Sequence, residues 1–74
     1  MMLNIREASF ATGIDRELIR RHIRAGKLPR YGRYVDEQEL FAYAVDRWRE
    51  GRCLMHEPNE IIKRLEHLAE KETE

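Results

Sequence analysis

The sequence has few of the features that would place it outside the cytoplasm or stabilise it covalently. Cys53 is the only cysteine among 74 residues, so no internal disulfide can form, which is typical of a reducing compartment. No apolar run approaches the roughly 20 residues that cross a bilayer. Residues 1–6 lack the basic start and the apolar stretch of a signal peptide. We therefore expect a cytoplasmic protein.

The sequence also lacks the patterns that enzymes and metal sites need. It has no glycine-rich phosphate-binding loop, and neither Ser9 nor Cys53 has an obvious base and orienting group nearby. Cys53, His56 and Glu57 lie close together, but they lack the second pair of ligands that a structural zinc site requires. We expect no catalytic activity, no metal ion and no cofactor.

What the sequence does contain is typical of one small helical domain. Hydrophobic residues make up 42% of the chain and charged residues 38%, which is too apolar for a disordered segment. A chain of this length buries only about 60% of the surface that it exposes when unfolded, so its core must be thin. Neither an internal repeat nor a low-complexity linker divides it.

The charge is unevenly distributed along the chain, although the net charge is zero. Residues 1–35 hold eight lysines and arginines against three acidic residues, a net charge of +5. Residues 36–56 carry −2, and residues 57–74 carry −3. A positive field confined to one half of a chain favours binding of nucleic acid by that half.

Capping residues predict two short helices joined by a tight turn near the start of the chain. Asn4 and Glu7 have the spacing of a capping box, and Gly13 ends the first helix. Asp15 caps a second helix, which Gly26 ends in a left-handed conformation. Two short helices with a tight turn between them are the arrangement of a helix-turn-helix.

The rest of the chain predicts a hairpin and two further helices. Residues 27–35 combine proline, glycine, aromatic and β-branched residues, which favours a small β-hairpin, or wing. Asp36 and Glu39 form a second capping box for a third helix that ends near Gly51, and a fourth is expected over about residues 59–71. The expected fold is mostly α: a small winged helix-turn-helix domain of three helices and a short β-hairpin wing in residues 1–56, with an additional C-terminal amphipathic helix in residues 57–74.

The sequence gives expected environments for four ring side chains. We expect Trp48 on the apolar face of the third helix, His22 packed on the inner face of the second, and Tyr34 packed inward beside Val35. Tyr31, at the turn of the wing, is either exposed or in contact with a sugar-phosphate backbone.

The second predicted helix has one charged face and one apolar face. At 100° per residue, Glu17, Arg20, Arg21 and Arg24 fall within one arc, opposite the apolar side of the helix. Three arginines in one stripe repel one another, and duplex DNA would neutralise them. An α-helix fits the major groove, where arginine can bind guanine and glutamate can accept a hydrogen bond from cytosine.

A solvated charged face is the ordinary alternative for an amphipathic helix taken alone. Here a short helix and a tight turn precede the arginines, and a basic wing follows them, so we expect one continuous basic surface. The predicted DNA contacts in the second helix are Arg16, Glu17, Arg20, Arg21 and Arg24. Those in the wing and its flanks are Arg6, Lys27, Arg30, Tyr31 and Arg33.

Residues 3–9, 19–29 and 32–36 resemble the winged helix-turn-helix domain of excisionases and MerR-type regulators, over about residues 3–48. The resemblance implies a recognition helix in the major groove and a wing against the adjacent minor groove. By position, it implies that Glu17 and Arg21 read base edges and that Arg20 and Arg24 bind phosphates or share the reading. It also places Arg30 and Arg33 at the wing.

The sequence departs from the family pattern at two positions. His22 stands where the family usually has tryptophan, which weakens the expected packing there. Phe10 stands at a position that is usually polar and exposed, and it would mark a contact surface.

The resemblance implies an excisionase-type accessory factor from a phage or other mobile element, which binds specific duplex sites and bends DNA beside an integrase. A small MerR-type transcription regulator and a small terminase subunit, which recognises packaging sites with a similar module, are alternatives within DNA binding. A protein-interaction adaptor that keeps the fold and does not bind DNA is the alternative from another class.

The fourth predicted helix needs a partner for its apolar stripe. Ile61, Leu65 and Leu68 have the spacing of a coiled-coil seam, and Ile62 lies beside them. A helix this short is marginal alone, so either the chain's own core or a second copy must cover the stripe. A homodimer and a cooperative array on DNA both stay open, as does an acidic tail that docks on the basic stripe and competes with DNA.

Overall fold

The computed structural model describes residues 1–51 and 55–72. Within these residues the chain forms four α-helices and one two-stranded antiparallel sheet, so the mostly α class is confirmed. The helices are α1 (Ile5–Thr12), α2 (Arg16–Arg24), α3 (Glu37–Arg49) and α4 (Pro58–Glu72), and the strands are β1 (Met2–Leu3) and β2 (Val35–Asp36). None of these helices is both long and apolar enough to span a bilayer.

Local capping sets the ends of the first two helices where the sequence predicted them. The Asn4 side chain accepts a hydrogen bond from the Glu7 backbone N–H at 2.8 Å, and the Glu7 carboxylate accepts one from the Asn4 N–H at 3.0 Å. Gly13 ends α1 with φ at 75°, where a side chain would strain the backbone. Asp15 caps α2 by accepting from the Glu17 N–H at 3.0 Å.

The second predicted capping box, between Asp36 and Glu39, is only half formed. The Asp36 carboxylate accepts from the backbone N–H groups of Gln38 and Glu39, at 3.0 and 3.2 Å. The Glu39 carboxylate, however, accepts a hydrogen bond from the Tyr31 hydroxyl at 2.7 Å. The side chain that was expected to complete the cap therefore ties the residue 31–34 turn to α3.

The predicted wing is smaller than expected, and its second strand pairs elsewhere. Tyr31 and Tyr34 form a single antiparallel bridge around residues 32–33, with N···O distances of 2.8 and 3.1 Å. Val35 then pairs with Leu3 in the β1–β2 sheet. Because β1 has only two residues, it carries no periodic signal, and this long-range pairing was not predicted.

Two aromatic side chains that were expected in the core are exposed. Tyr34 is 47% exposed because successive side chains of an extended segment point to opposite sides, and its neighbour Val35 faces the core. Trp48 is 46% exposed because it lies in the last turn of α3, whereas α4 packs beside Phe41 near the other end of that helix. The prediction of inward packing was wrong for both.

The fourth helix completes the core of the chain. Ile61, Leu65 and Leu68 are 0%, 7% and 8% exposed, and α4 packs on α1 and α3. The chain itself therefore covers three of the four residues that were predicted for a partner, and only Ile62 stays exposed, at 42%. Since α4 supplies three buried residues of the core, we expect deletion of residues 57–74 to destabilise the fold, so such a deletion could not test an autoinhibitory tail.

The neighbouring isoleucines of α4 test this packing. Ile61→Ala should lower the free energy of unfolding by about 2–5 kcal/mol, because it leaves a cavity in the core. Ile62→Ala is the matched control, since the same substitution at an exposed site should change stability by less than about 1 kcal/mol. Urea denaturation followed by circular dichroism measures both, and equal losses would contradict the buried position of Ile61.

Candidate nucleic-acid interface

Side-chain hydrogen bonds restrain the turn between α1 and α2. The Ser9 hydroxyl donates to the Ile14 carbonyl at 2.7 Å, and the Thr12 hydroxyl donates to the Ala8 carbonyl at 2.8 Å. The Thr12 hydroxyl also accepts from the Ile14 N–H at 3.2 Å, and Ile14 is only 3% exposed. The turn therefore fixes the direction of α2 relative to α1.

The segment before α4 packs against the same turn. The His56 N–H donates to the Thr12 carbonyl at 2.8 Å. A Cβ on Gly13 would lie 3.0 Å from the His56 backbone nitrogen, so the turn needs glycine for space as well as for its positive φ. Any larger residue at this position would push the two segments apart.

The residues considered for a metal site do not form one in the described part of the chain. Cys53 lies outside the described residues, so its relation to His56 and Glu57 is not part of the structure. Within residues 1–51 and 55–72, no group of three or more His, Cys, Asp or Glu side chains could hold a metal ion.

The charged face of α2 lies at the surface, and its opposite face is buried. Ile19 is fully buried and His22 is 9% exposed, while Leu18 and Ile23 are half-buried. The five predicted contact residues of this helix are all exposed: Arg16, Glu17, Arg20, Arg21 and Arg24. The helix therefore presents its arginines to solvent while its inner face holds it to the protein.

One ion pair lies within the charged face. The Arg20 guanidinium donates to the Glu17 carboxylate at 2.6 Å, one helical turn away. Both side chains are largely exposed, so this pair adds little to stability. Among the described residues, neither Arg21 nor Arg24 forms an ion pair, so their charges stay open to an anionic ligand.

The residues after α2 extend the charged face along the chain. Lys27, Arg30 and Arg33 are exposed, as is Tyr31 at 51%. The hydrogen bond to Glu39 raises the pKa of Tyr31, so this hydroxyl stays neutral and oriented at physiological pH. Arg6, the remaining predicted contact, is exposed in the first turn of α1 and belongs to a different element.

His22 joins the inner face of α2 to α3. Its Nδ1 is hydrogen-bonded to the Tyr43 hydroxyl, and its Nε2 lies 3.3 Å from Nη1 of Arg47. A guanidinium can only donate, so Nε2 accepts and the neutral imidazole carries its proton on Nδ1, which donates to Tyr43. The two rings also meet edge to face, with centroids 5.4 Å apart. The expected inward position of His22 is confirmed.

The surroundings of His22 keep it neutral. Burial lowers the pKa of His22 from its ordinary value of 6.5, and the positive charges of Arg47, Lys27 and Arg21 lower it further. Burial also raises the pKa of Tyr43, so the hydroxyl stays protonated. Since Arg21 and Lys27 act on this ring, a protonated imidazole would add to the positive charge that the arginine face already carries.

Sequence reasoning found the orientation of His22 but not its partners. Tyr43 and Arg47 are four residues apart on α3, a spacing that places both on one face of the helix. Nothing in the sequence pairs this face with α2, because His22 and Tyr43 are 21 positions apart.

Phe10 lies beside α4 and is partly covered by it. Phe10 is 43% exposed, and the guanidinium carbon of Arg64 lies 4.8 Å from the centroid of its ring. An Arg64 nitrogen donates to the Phe10 carbonyl at 3.2 Å, and the His67 ring lies 6.4 Å from the Phe10 ring. The exposed aromatic residue that was predicted to mark a contact surface thus already has partners within the chain.

A scan against protein-family models and searches of curated proteins and of solved structures found no match for this chain. The function proposed for this chain therefore rests on its own residues and their geometry.

The environment of His22 predicts how stability depends on pH. Because its pKa is lowered in the folded protein, the unfolded chain binds more protons below about pH 6.5. The unfolding free energy should therefore fall as the pH is lowered from about 7.5 to about 5.5, a range above the titration of most carboxylates. Urea denaturation at each pH measures this loss.

A pair of histidine variants separates this effect from other titrations. His22→Gln should lower stability and flatten the pH dependence, because the residue that gains a proton on unfolding is gone. His67→Gln, at an exposed position of α4 away from Tyr43 and Arg47, is the matched control substitution. An unchanged slope in the His22 variant would contradict the assignment.

Proposed function

We propose that this chain is a sequence-specific double-stranded DNA-binding protein of the winged helix-turn-helix type. In this proposal α1 and α2 form the helix-turn-helix, α2 enters the major groove, and the residue 31–34 turn lies against the adjacent minor groove. The observation that carries the proposal is the exposed arginine face of α2, whose opposite side is held by Ile19 and His22.

The residues of α2 would divide between base reading and phosphate binding. Arg21 can donate two hydrogen bonds to guanine, and Glu17 can accept one from the cytosine amino group with the oxygen that Arg20 leaves free. Arg16 and Arg24, at the two ends of the helix, would reach the phosphates on either side of the groove. At nine residues, α2 is about 13 Å long, which suits a single pass across the major groove.

The wing would contribute mainly through the phosphates. The Tyr31–Tyr34 bridge closes the backbone of the turn. Arg30 directly precedes this turn, and Arg33 lies within it. Tyr31 is restrained by Glu39, so it can pack on a sugar without first losing side-chain freedom. With a single bridge, this wing is small, and we expect α2 to supply most of the sequence preference.

Within DNA binding, we favour an excisionase-type accessory factor that binds beside an integrase and bends the duplex. The resemblance of residues 3–48 supports this role. The burial of Ile61, Leu65 and Leu68 in the chain's own core also favours it over a MerR-type regulator that dimerises through its C-terminal helix. A small terminase subunit would use the same surface of α2 on a packaging site.

Salt dependence tests the proposed interface first. With about five phosphate contacts, log K should fall against log salt with a slope near −4.5, or about 500-fold between roughly 50 and 200 mM. Fluorescence anisotropy of a random duplex, titrated with the full chain, measures the slope. No binding at either salt by a protein shown to be folded would favour the adaptor alternative.

Single substitutions separate base reading from phosphate binding. Arg21→Ala should reduce the binding free energy by about 1–3 kcal/mol on a site selected from random duplexes, and it should relax the base preference. Arg30→Ala should instead weaken binding to all sequences by a similar factor. Lys63→Ala, which removes an exposed charge on α4, is the matched control and should bind as the original chain does. If the two arginine variants also bind normally, α2 and the wing do not form the interface.

A further inference from the structure

An open apolar groove lies between α3 and α4. It has a volume of about 410 Å³, and its apolar lining includes Phe41 of α3 and Ile62, Leu65 and Ala69 of α4. The apolar residues of α4 follow one another at spacings of three and four, so they form one stripe along the helix. Ile62 is 42% exposed in this groove, although the adjacent Ile61 is fully buried.

The groove lies on the side of α3 that faces away from α2. Tyr43 and Arg47 contact His22 of α2, whereas Phe41 lines the groove. At 100° per residue, Phe41 projects about 160° away from Tyr43 around the helix axis. A ligand in the groove would therefore leave the arginine face of α2 accessible.

The shape of the groove suits a third helix. Two packed helices form a furrow in which the side-chain ridge of another helix can lie. The 15 residues of α4 give this furrow a wall of about 22 Å, or about four turns of a docked helix. Apolar residues on one face of that helix would cover Ile62 and Phe41.

The charge of the groove selects the kind of helix. Glu66 lies in the lining and forms no ion pair among the described residues. Glu37 lies there too, but its carboxylate is paired with the Met1 ammonium at 3.3 Å, so Glu66 carries the unpaired charge of the lining. Residues 36–74 as a whole carry a net charge of −5. A helix with lysines or arginines beside its apolar face would complement this surface, and an acidic helix would be repelled.

The same charges disfavour a second copy of this chain as the occupant. A two-fold dimer through the groove would bring the unpaired Glu66 carboxylates of both copies into one interface, at a cost from like-charge repulsion. The basic helix of the chain, α2, cannot dock there, because its inner side, with Ile19 and His22, is already buried in the chain's own core and held by Tyr43. We propose that the α3–α4 groove binds an amphipathic helix with basic flanks from a different protein.

Two synthetic peptides of about 18 residues test this proposal on the full chain. The basic probe has leucines at heptad positions a and d and lysines at e and g, and the acidic probe has glutamates in place of the lysines. Titration of the isotope-labelled protein should show binding of the basic probe, with NMR shifts at Phe41, Ile62 and Ala69. The acidic probe should bind at least about fivefold more weakly.

Variants on exposed residues localise the effect. Ile62→Gln should weaken binding of the basic probe about tenfold, because a large apolar contact is lost. Trp48→Gln, at an exposed residue of α3 outside the groove lining, should leave binding unchanged. Glu66→Lys should weaken binding of the basic probe and strengthen binding of the acidic probe. Circular dichroism of each variant confirms that it is folded before titration.

Three outcomes would overturn the proposal. These are equal binding of the two probes, the absence of binding, and shifts confined to residues outside the groove. Sedimentation of the protein alone at the same concentrations provides a fourth test, because a dimer that Ile62→Gln dissociates would make a second copy the occupant. None of these measurements involves DNA, so the groove and the DNA interface can fail or succeed separately.

Discussion

The attachment of α2 through Ile19 and His22 is the constraint on which the basic surface depends. A helix with arginines at Arg20, Arg21 and Arg24 gains little from its charged side until an anion binds, so its inner side must supply the stability. His22 contributes to that stability without adding charge, because burial and the cations around it keep the imidazole neutral. The Tyr43 hydroxyl provides the hydrogen-bond partner of its Nδ1. The same contact sets the angle at which the arginines leave the protein.

A small core makes each element serve more than one purpose. The fourth helix shows this at two adjacent residues, since Ile61 fills the core and Ile62 lines the open groove. The third helix likewise contacts α2 with Tyr43 on one side and lines the groove with Phe41 on the other. In a chain of 74 residues, most buried side chains lie directly beneath the surface.

The predictions that succeeded concern interactions over a few residues. The Asn4–Glu7 capping box, the glycine at the end of α1 and the two faces of α2 follow from local hydrogen bonds and from helical periodicity, and both are readable in the sequence. Those that failed concern competition between partners. Glu39 was assigned to the cap of α3 but bonds Tyr31, and Tyr34 was placed inside although the strand alternation that buries Val35 turns it outward.

By itself, the sequence determined the helices, their order and the concentration of positive charge in residues 1–35, because caps and periodicity act within about one helical turn. Only the tertiary structure decided that Leu3 pairs with Val35, that His22 meets Tyr43, and that α4 packs on its own chain. Each of these contacts joins residues far apart in the chain, and each element had more than one apolar or polar partner available. Which partner it takes depends on how all the elements fill the core together, and no local pattern encodes that.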